Sequence, residues 1–312
     1  MILFKYLSFY DLSFFSSPTI KLSVIKHLND PFESELTENI HDILNQTPPI
    51  IKGRVYTLNE IKGAIVDTIS NLGVISLSET PRSLLMWSHY SDEHRGLCLG
   101  LDSNFLAQQE EVYKKQNSFD YIFTPQKIKY DTIKDYSFLL NNKFDDIAEY
   151  YNKAIIQGLL QKSDEWIYEK EHRLIIPLAM YDKMLISFDK INEPESKKRI
   201  HNIISDLIED GILEEIKPSL YRNRKKSRSM LTNGELELIL NYKEIALLKD
   251  IKPEHIRSVY FGHRFDEDKL YQFMCSLEKE PYPLQKSFIN KFQISKDRYE
   301  LIARAITSRL NT

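Results

Sequence analysis

Trp166-Ile167-Tyr168-Glu169-Lys170-Glu171-His172-Arg173-Leu174-Ile175-Ile176-Pro177 joins a charged half to an apolar half. Arg173 to Ile176 reads as a core strand closed by proline. If the charged half enters that strand, side-chain alternation sets Glu169, Glu171 and Arg173 on one face. Two carboxylates beside a cation titrate unequally. A carboxylate held charged can bond a ribose hydroxyl or favour developing positive charge. Glu171 adjoins the apolar run, so it is expected to be the more rigid and more important member, and Glu169 the more tolerant. The plain alternative is an exposed strand edge with a Glu–Arg pair.

Working outward, Val74-Ile75-Ser76-Leu77-Ser78 alternates apolar and hydroxyl residues, the period of a half-buried strand. Ser76 and Ser78 then share a face that can line a pocket or simply finish a strand edge. Met86-Trp87-Ser88-His89-Tyr90 reads as a short helix. Trp87 and Tyr90 offer flat faces for a base or nicotinamide ring, and His89 a proton near neutral pH; core packing with a surface histidine is the competing reading. Lys5-Tyr6, on the apolar opening strand 2–7, can meet a pyrophosphate or cap a strand edge. Trp87 and Tyr90 are expected to wall the pocket that holds Glu169 or Glu171.

Strands are also expected at 96–101, 126–130, 235–242, 256–261 and 288–293, and a strand or turn at 22–28. Asn29-Asp30-Pro31 is a turn signal. Helical spacing falls at 11–16, 34–46, 57–72, 104–118, 136–162, 194–217, 266–277 and from Asp297 onward. Strands separated by helices without regular βαβ spacing predict an α+β protein, a mixed sheet flanked by helices. The strands 2–7, 96–101 and 173–176 are expected in one sheet. Residues 1–180 carry the motifs, 181–250 read as a helical and basic insertion, and 251–312 complete the same domain.

The whole chain narrows the function classes. It has 312 residues, 42 Lys+Arg against 45 Asp+Glu, a net charge of −3, and only 9 glycines. A glycine-rich phosphate cradle is disfavoured, and nucleic acid would need a local patch such as the basic run Arg222–Arg228. Cys98 and Cys275 form no CxxC pair, and the histidines follow no HxH or HExxH spacing, so no metal is expected. The opening residues lack a signal peptide's basic lead and apolar run, and no apolar stretch of about 18 residues occurs; a cytoplasmic protein is expected.

Four pieces in order identify a family: Phe4-Lys5-Tyr6; Leu28-Asn29-Asp30-Pro31-Phe32-Glu33; Ser76-Leu77-Ser78-Glu79 with Met86–Tyr90 and Gly96; and Trp166–Arg173, with a weaker Val259–Gly262. Together they resemble the bacterial domain-of-unknown-function family twenty-nine seventy-one, whose members resemble proteins of abortive infection, a phage-defence response. A more distant similarity is to ADP-ribosyltransferases, which carry in order a cation, a Ser-x-Ser strand and a late glutamate. Lys5, Ser76/Ser78 and Glu169/Glu171 occupy that order, with lysine in place of the usual Arg or His. The resemblance implies an ADP-ribosyltransferase-like fold with NAD as co-substrate. Lys5 and Tyr6 would meet the diphosphate, and Ser76, Ser78, Trp87, Tyr90 and Arg173 would shape the pocket. Glu171, Glu169 and His89 would be catalytic, acting on a protein or nucleic-acid target. Two readings stay open beside it: a binding or sensing module without catalysis, and a metal-dependent nuclease using Asp30, Glu33, Glu169 and Glu171. Convergence of Lys5, Ser76 and Glu171 on one aromatic-walled cleft favours the transferase. Convergence of the carboxylates without Lys5 favours the nuclease.

Overall fold

The structure is a computed structural model describing residues 1–9, 11–110, 119–224, 240–279 and 288–306. Its strands in chain order begin with β1 (Ile2–Leu7), β2 (Thr19–Val24), β3 (Ile50–Ile51), β4 (Arg54–Val55), β5 (Leu72–Ser78) and β6 (Leu97–Asp102). There follow β7 (Ile122–Lys127), β8 (Lys129–Asp131), β9 (Gln161–Ser163), β10 (Glu171–Pro177), β11 (Lys183–Ile186) and β12 (Leu213–Lys217). The last are β13 (Leu220–Asn223), β14 (Ile245–Asp250), β15 (Ile256–Phe261), β16 (Ile289–Ile294) and β17 (Leu301–Ala305). Thirteen of them build one sheet ordered β12-β13-β11-β14-β2-β5-β1-β6-β15-β16-β17, with β10 on β5 and β7 on β10. The β15–β16 pair is parallel and the β1, β5, β6 and β10 pairs are antiparallel. The sheet is therefore mixed, the protein is α+β, and β1, β6 and β10 do share it.

The helices are α1 (Pro31–Ser34), α2 (Leu36–Gln46), α3 (Leu58–Ser70), α4 (Leu84–Tyr90), α5 (Ser137–Asn141), α6 (Ile147–Leu159), α7 (Pro194–Glu209) and α8 (Glu267–Lys279). Strand alternation sends the two sides of β5 to two cores. Ile75 and Leu77 join the cluster with Ile200 and Ile203 of α7 and Phe273 of α8. Leu72 and Val74 join the cluster with Ile40 of α2, Ile65 of α3 and Ile155 of α6. Ser76 and Ser78 follow Leu72 and Val74 on that second side, so the apolar layer gives way to polar groups there.

The neighbours of β5 explain the opening beside it. β10 pairs with it from Leu72 to Ser78, along its whole length. On its other edge β2 pairs only at Val74 and Gly73, and β1 only at Ser78. β1 and β2 thus diverge from one strand, and the sheet forks between them.

Several expected elements differ. In the segment after Asp297, expected to be helical, the described residues Leu301–Ala305 form β17, because they find a complete antiparallel partner in β16 and sheet pairing overrides helix propensity; residues 307–312 lie outside the described residues. Residues 194–217 stop being helical at Glu209; Gly211 has φ 65, and β12 follows. The 181–250 stretch, expected to be helical, supplies α7 but also β11–β14 to the sheet. Residues 136–162 split into α5 and α6, with Asp146 capping the second. Of 104–118, the described part holds one 3₁₀ turn, Ala107–Gln109; residues 111–118, 225–228 and 235–239 lie outside the described residues.

Candidate functional site

The fork opens into a cleft of about 870 Å³. Ser76 and Ser78 line it from β5, Glu171 and Arg173 from β10, Lys162 from β9 and Glu33 from α1. Register explains the central set, since Arg173 pairs with Ser76 and Glu171 with Ser78 across β5–β10.

Glu169 arrives by a different route from the one expected. It ends a 3₁₀ helix, Asp164–Glu169, and is not part of β10. Lys170 then takes a left-handed conformation, φ 45, which brings Glu169 back beside Glu171. Ser78 Oγ donates to the Glu169 carbonyl at 2.7 Å, and Glu79 N–H donates to the Lys170 carbonyl at 3.0 Å, fixing that turn. Both carboxylates are buried, Glu169 4% and Glu171 3% exposed, so neither is a strand-edge surface group and Glu169 is no more loosely placed than its neighbour.

The two carboxylates differ in what they hold. Arg173 Nε donates to Glu171 Oε1 at 2.6 Å and Nη2 to Oε2 at 3.0 Å, a two-point fork. Lys162 Nζ is 3.4 Å from Glu171 Oε2, and the Ser76 hydroxyl also bonds this carboxylate. Glu171 is thereby close to saturated. Glu169 accepts one bond per oxygen, from Tyr90 Oη at 2.6 Å and from Lys162 Nζ at 2.7 Å, and keeps acceptor capacity on each. Glu33 pairs with Arg173 and lies 3.9 Å from Lys162 Nζ. Three carboxylates around Lys162 and Arg173 leave one formal negative charge, which Lys5 at the fork balances.

Burial and the neighbouring charges together set the protonation states. Burial pushes the Glu171 carboxyl up, but Arg173 and Lys162 outweigh it and hold it well below the usual range. For Glu33 burial wins over Arg173 and Lys162, and its carboxyl is raised. Burial alone would lower Lys162, yet Glu171, Glu33 and Glu169 raise it, so it stays an ammonium. Tyr90 is raised by burial and by Glu169, which keeps its hydroxyl a donor.

The other sequence candidates divide. By its pairing with Leu99, Lys5 belongs to the β1 side facing the first core, and it reaches the cleft through the fork, where Nζ donates to the Ser76 carbonyl at 2.9 Å. Tyr6 lines the cleft but spends its hydroxyl on the Thr80 carbonyl at 2.8 Å. Tyr90 forms part of the wall. Trp87 does not: it is fully buried against Tyr6, Phe292 and His94, with Nε1 donating to the Pro81 carbonyl. Residues three apart are neighbours on a helix surface, so packing and not helix geometry separates them: Trp87 turns into the aromatic core while Tyr90 turns to Glu169. Trp87→Ala is expected to destabilise the fold by about 3–5 kcal/mol, seen as a lower melting temperature with any loss of function following unfolding. His89 is exposed, stands beside Tyr168 and is not part of the cleft wall.

Two functional groups carry no sequence mark, and a third was marked for another role. Lys162 sits in an unremarkable Gln-Lys-Ser and is stacked 4.5 Å over Trp166. Tyr130 Oη accepts the Glu171 N–H at 2.7 Å. Glu33 belongs to the Asn-Asp-Pro-Phe-Glu motif, where Asp30 caps α1 through the Phe32 N–H at 2.9 Å and Glu33 turns into the cleft.

Residues 86–174 match the family model described as Protein of unknown function (DUF2971). That segment is similar to DUF2971. It contributes Tyr90, Lys162, Glu169, Glu171 and Arg173 to the cleft, while Lys5, Glu33, Ser76 and Ser78 come from residues preceding the matched DUF2971 stretch. No curated protein and no solved structure matches the chain. Among the described residues no helix is long and apolar enough to cross a membrane, and no group of three or more His, Cys, Asp or Glu is arranged to hold a metal ion.

Proposed function

We propose that the chain is an ADP-ribosyltransferase-like or NAD-glycohydrolase-like enzyme that takes NAD into the forked cleft, serving as a cytoplasmic effector in phage defence. The observation that carries this reading is the convergence of Lys5, Ser76, Glu169 and Glu171 on one cleft with Tyr6 and Tyr90 in its wall. The volume suits a small-molecule ligand. Breaking the nicotinamide–ribose bond develops positive charge on the anomeric carbon, and a buried, preorganised glutamate is the group that favours it. Glu169, with acceptor capacity left, takes the hydrogen bond from a ribose hydroxyl; Tyr90 and Lys162 hold it in place. Glu171 gives fixed charge and keeps Arg173 oriented. Lys5, a point charge without a guanidinium fork, attracts the diphosphate.

The nuclease reading has the carboxylates converging, but Lys162 Nζ stands among Glu169, Glu171 and Glu33, supplying the charge a divalent ion would bring. Lys5 also faces the cleft, so the transferase reading is favoured. Incubation of the purified chain with adenylate-labelled NAD and cell lysate tests it. Label on macromolecules supports transfer, and free ADP-ribose supports hydrolysis. Intact NAD rejects both.

Lys5 sets the pH dependence. Burial lowers its ammonium to about 8, against the raising influence of Glu171 and Glu169, with Lys21 lowering it further. The cation is present below that pH and lost above it. NAD affinity is expected to fall as pH rises from 7 to 9, by up to about tenfold per unit above 8. Titration calorimetry across that range checks it, and Lys5→Arg should flatten the profile.

A further inference from the structure

The cleft extends well past the carboxylate cluster. From β1 and β5 at the fork its lining runs across β2, β14, β11 and β13, four strand spacings from β5 or roughly 19 Å. The two ends differ in charge. At the fork Glu33, Glu169 and Glu171 face Lys5, Lys162 and Arg173. On the far arm the lining carries Lys21, Lys183, Lys217 and Arg222 against Asp11, with Asp250 and Glu214 reaching Lys183 and Arg222 from beside it. This local excess of cations stands out in a chain of net charge −3.

Strand register builds the arm. Arg222 pairs with Lys183, Lys183 with Leu248, and Leu248 with Lys21, so the three basic side chains share one face of the sheet. Hydroxyls accompany them. Lys183 Nζ donates to Ser17 Oγ and to Asp250 Oδ1, each at 2.7 Å, and Lys217 Nζ donates to Ser13 Oγ at 3.1 Å. Arg222 lies 3.9 Å from Glu214. Phe14, partly buried, adds an aromatic face.

We propose that this arm binds the phosphodiester backbone of a single-stranded nucleic acid and leads it to the carboxylate end as the acceptor of the reaction, a step that rests on the NAD reading above. Lysine and arginine in a row with hydroxyl donors are the chemistry that holds successive phosphates. The aromatic face takes a base without regard to sequence. Stacking on Phe14 takes an unpaired base, so the strand is single. In the transfer, the anomeric carbon–nicotinamide nitrogen bond breaks, nicotinamide leaves with that electron pair, and a nucleophilic oxygen or nitrogen of the strand forms the new bond to the anomeric carbon and releases its proton.

Fluorescence anisotropy with the full chain and a labelled single-stranded RNA or DNA of about 12 nucleotides tests the arm without NAD. Raising salt from 50 to 200 mM is expected to weaken binding roughly 20- to 50-fold, for three or four phosphates. The double variant Lys217→Glu/Arg222→Glu should lose at least tenfold in affinity at low salt, with nicotinamide release within twofold of the parent. Lys217→Gln/Arg222→Gln should lose less, and serves if charge reversal lowers the melting temperature. No binding at low salt overturns the proposal, as does binding indifferent to both variants or equal displacement by poly-glutamate. Loss of nicotinamide release with charge reversal also overturns it, because the arm then serves the dinucleotide. Variant-sensitive strand binding in a chain that releases no nicotinamide keeps the backbone site, and removes the NAD reading and the acceptor role with it.

Discussion

Glu169→Gln is expected to reduce nicotinamide release from NAD by roughly 100- to 1,000-fold while the chain stays folded. Among the described residues the carboxylate accepts from Tyr90 and Lys162 alone, so its oxygens keep acceptor capacity for a ribose hydroxyl. Glutamine preserves the shape but removes the charge and turns a donor toward Lys162 or Tyr90. Lys162 keeps Glu171 and Glu33, so the ammonium is not stranded. Turnover and thermal melting measured side by side check it. A variant as active as the parent removes Glu169 from the reaction, and one that unfolds makes it structural.

Arg173→Met is expected to destabilise the fold by about 3–5 kcal/mol, or roughly 5–15 °C in melting temperature. Arg173 is 1% exposed. It donates to both oxygens of Glu171, pairs with Glu33, and gives its Nη1 to the Leu159 carbonyl at 2.8 Å. Removing it strands two buried carboxylates. The pH dependence then reverses. In the parent, the depressed Glu171 carboxyl contributes stability that is present above about 4.3, its ordinary value, and is lost as pH falls through its folded value. Without Arg173 that carboxyl rises, so the cost is full at pH 7.5 and shrinks toward pH 5. Melting curves at both pH values check the sign. An Arg173→Met loss that is the same at both would show that the pair is not what the arginine stabilises.

Much of this was legible in the residues. Val74–Ser78 and Arg173–Ile176 announce strands through alternation and an apolar run, and they pair with each other. The cleft's carboxylates and hydroxyls were visible as motifs. Three kinds of feature were hidden. Lys162 is placed by the return of the chain from α6, which no local pattern encodes. Glu169 meets Glu171 through a left-handed Lys170, where strand alternation was the expected cause; lysine has no marked preference for that conformation, so the turn is invisible in sequence. β12 and β13 are four or five residues each around Pro218-Ser219, too short to outweigh the helical spacing of α7 before them. Trp87 and Tyr90 carry the same aromatic chemistry in sequence, and only packing decides that one is core and the other cleft wall.

The central claim is that the forked cleft acts on NAD. The most direct test incubates the purified parent chain with NAD at pH 7 and quantifies nicotinamide by chromatography, with Glu169→Gln as the matched control. The account predicts time-dependent nicotinamide release by the parent, with or without a nucleic-acid acceptor, and its near loss in the folded variant. Intact NAD after prolonged incubation of a folded parent with cell lysate, or equal release by parent and variant, would contradict it.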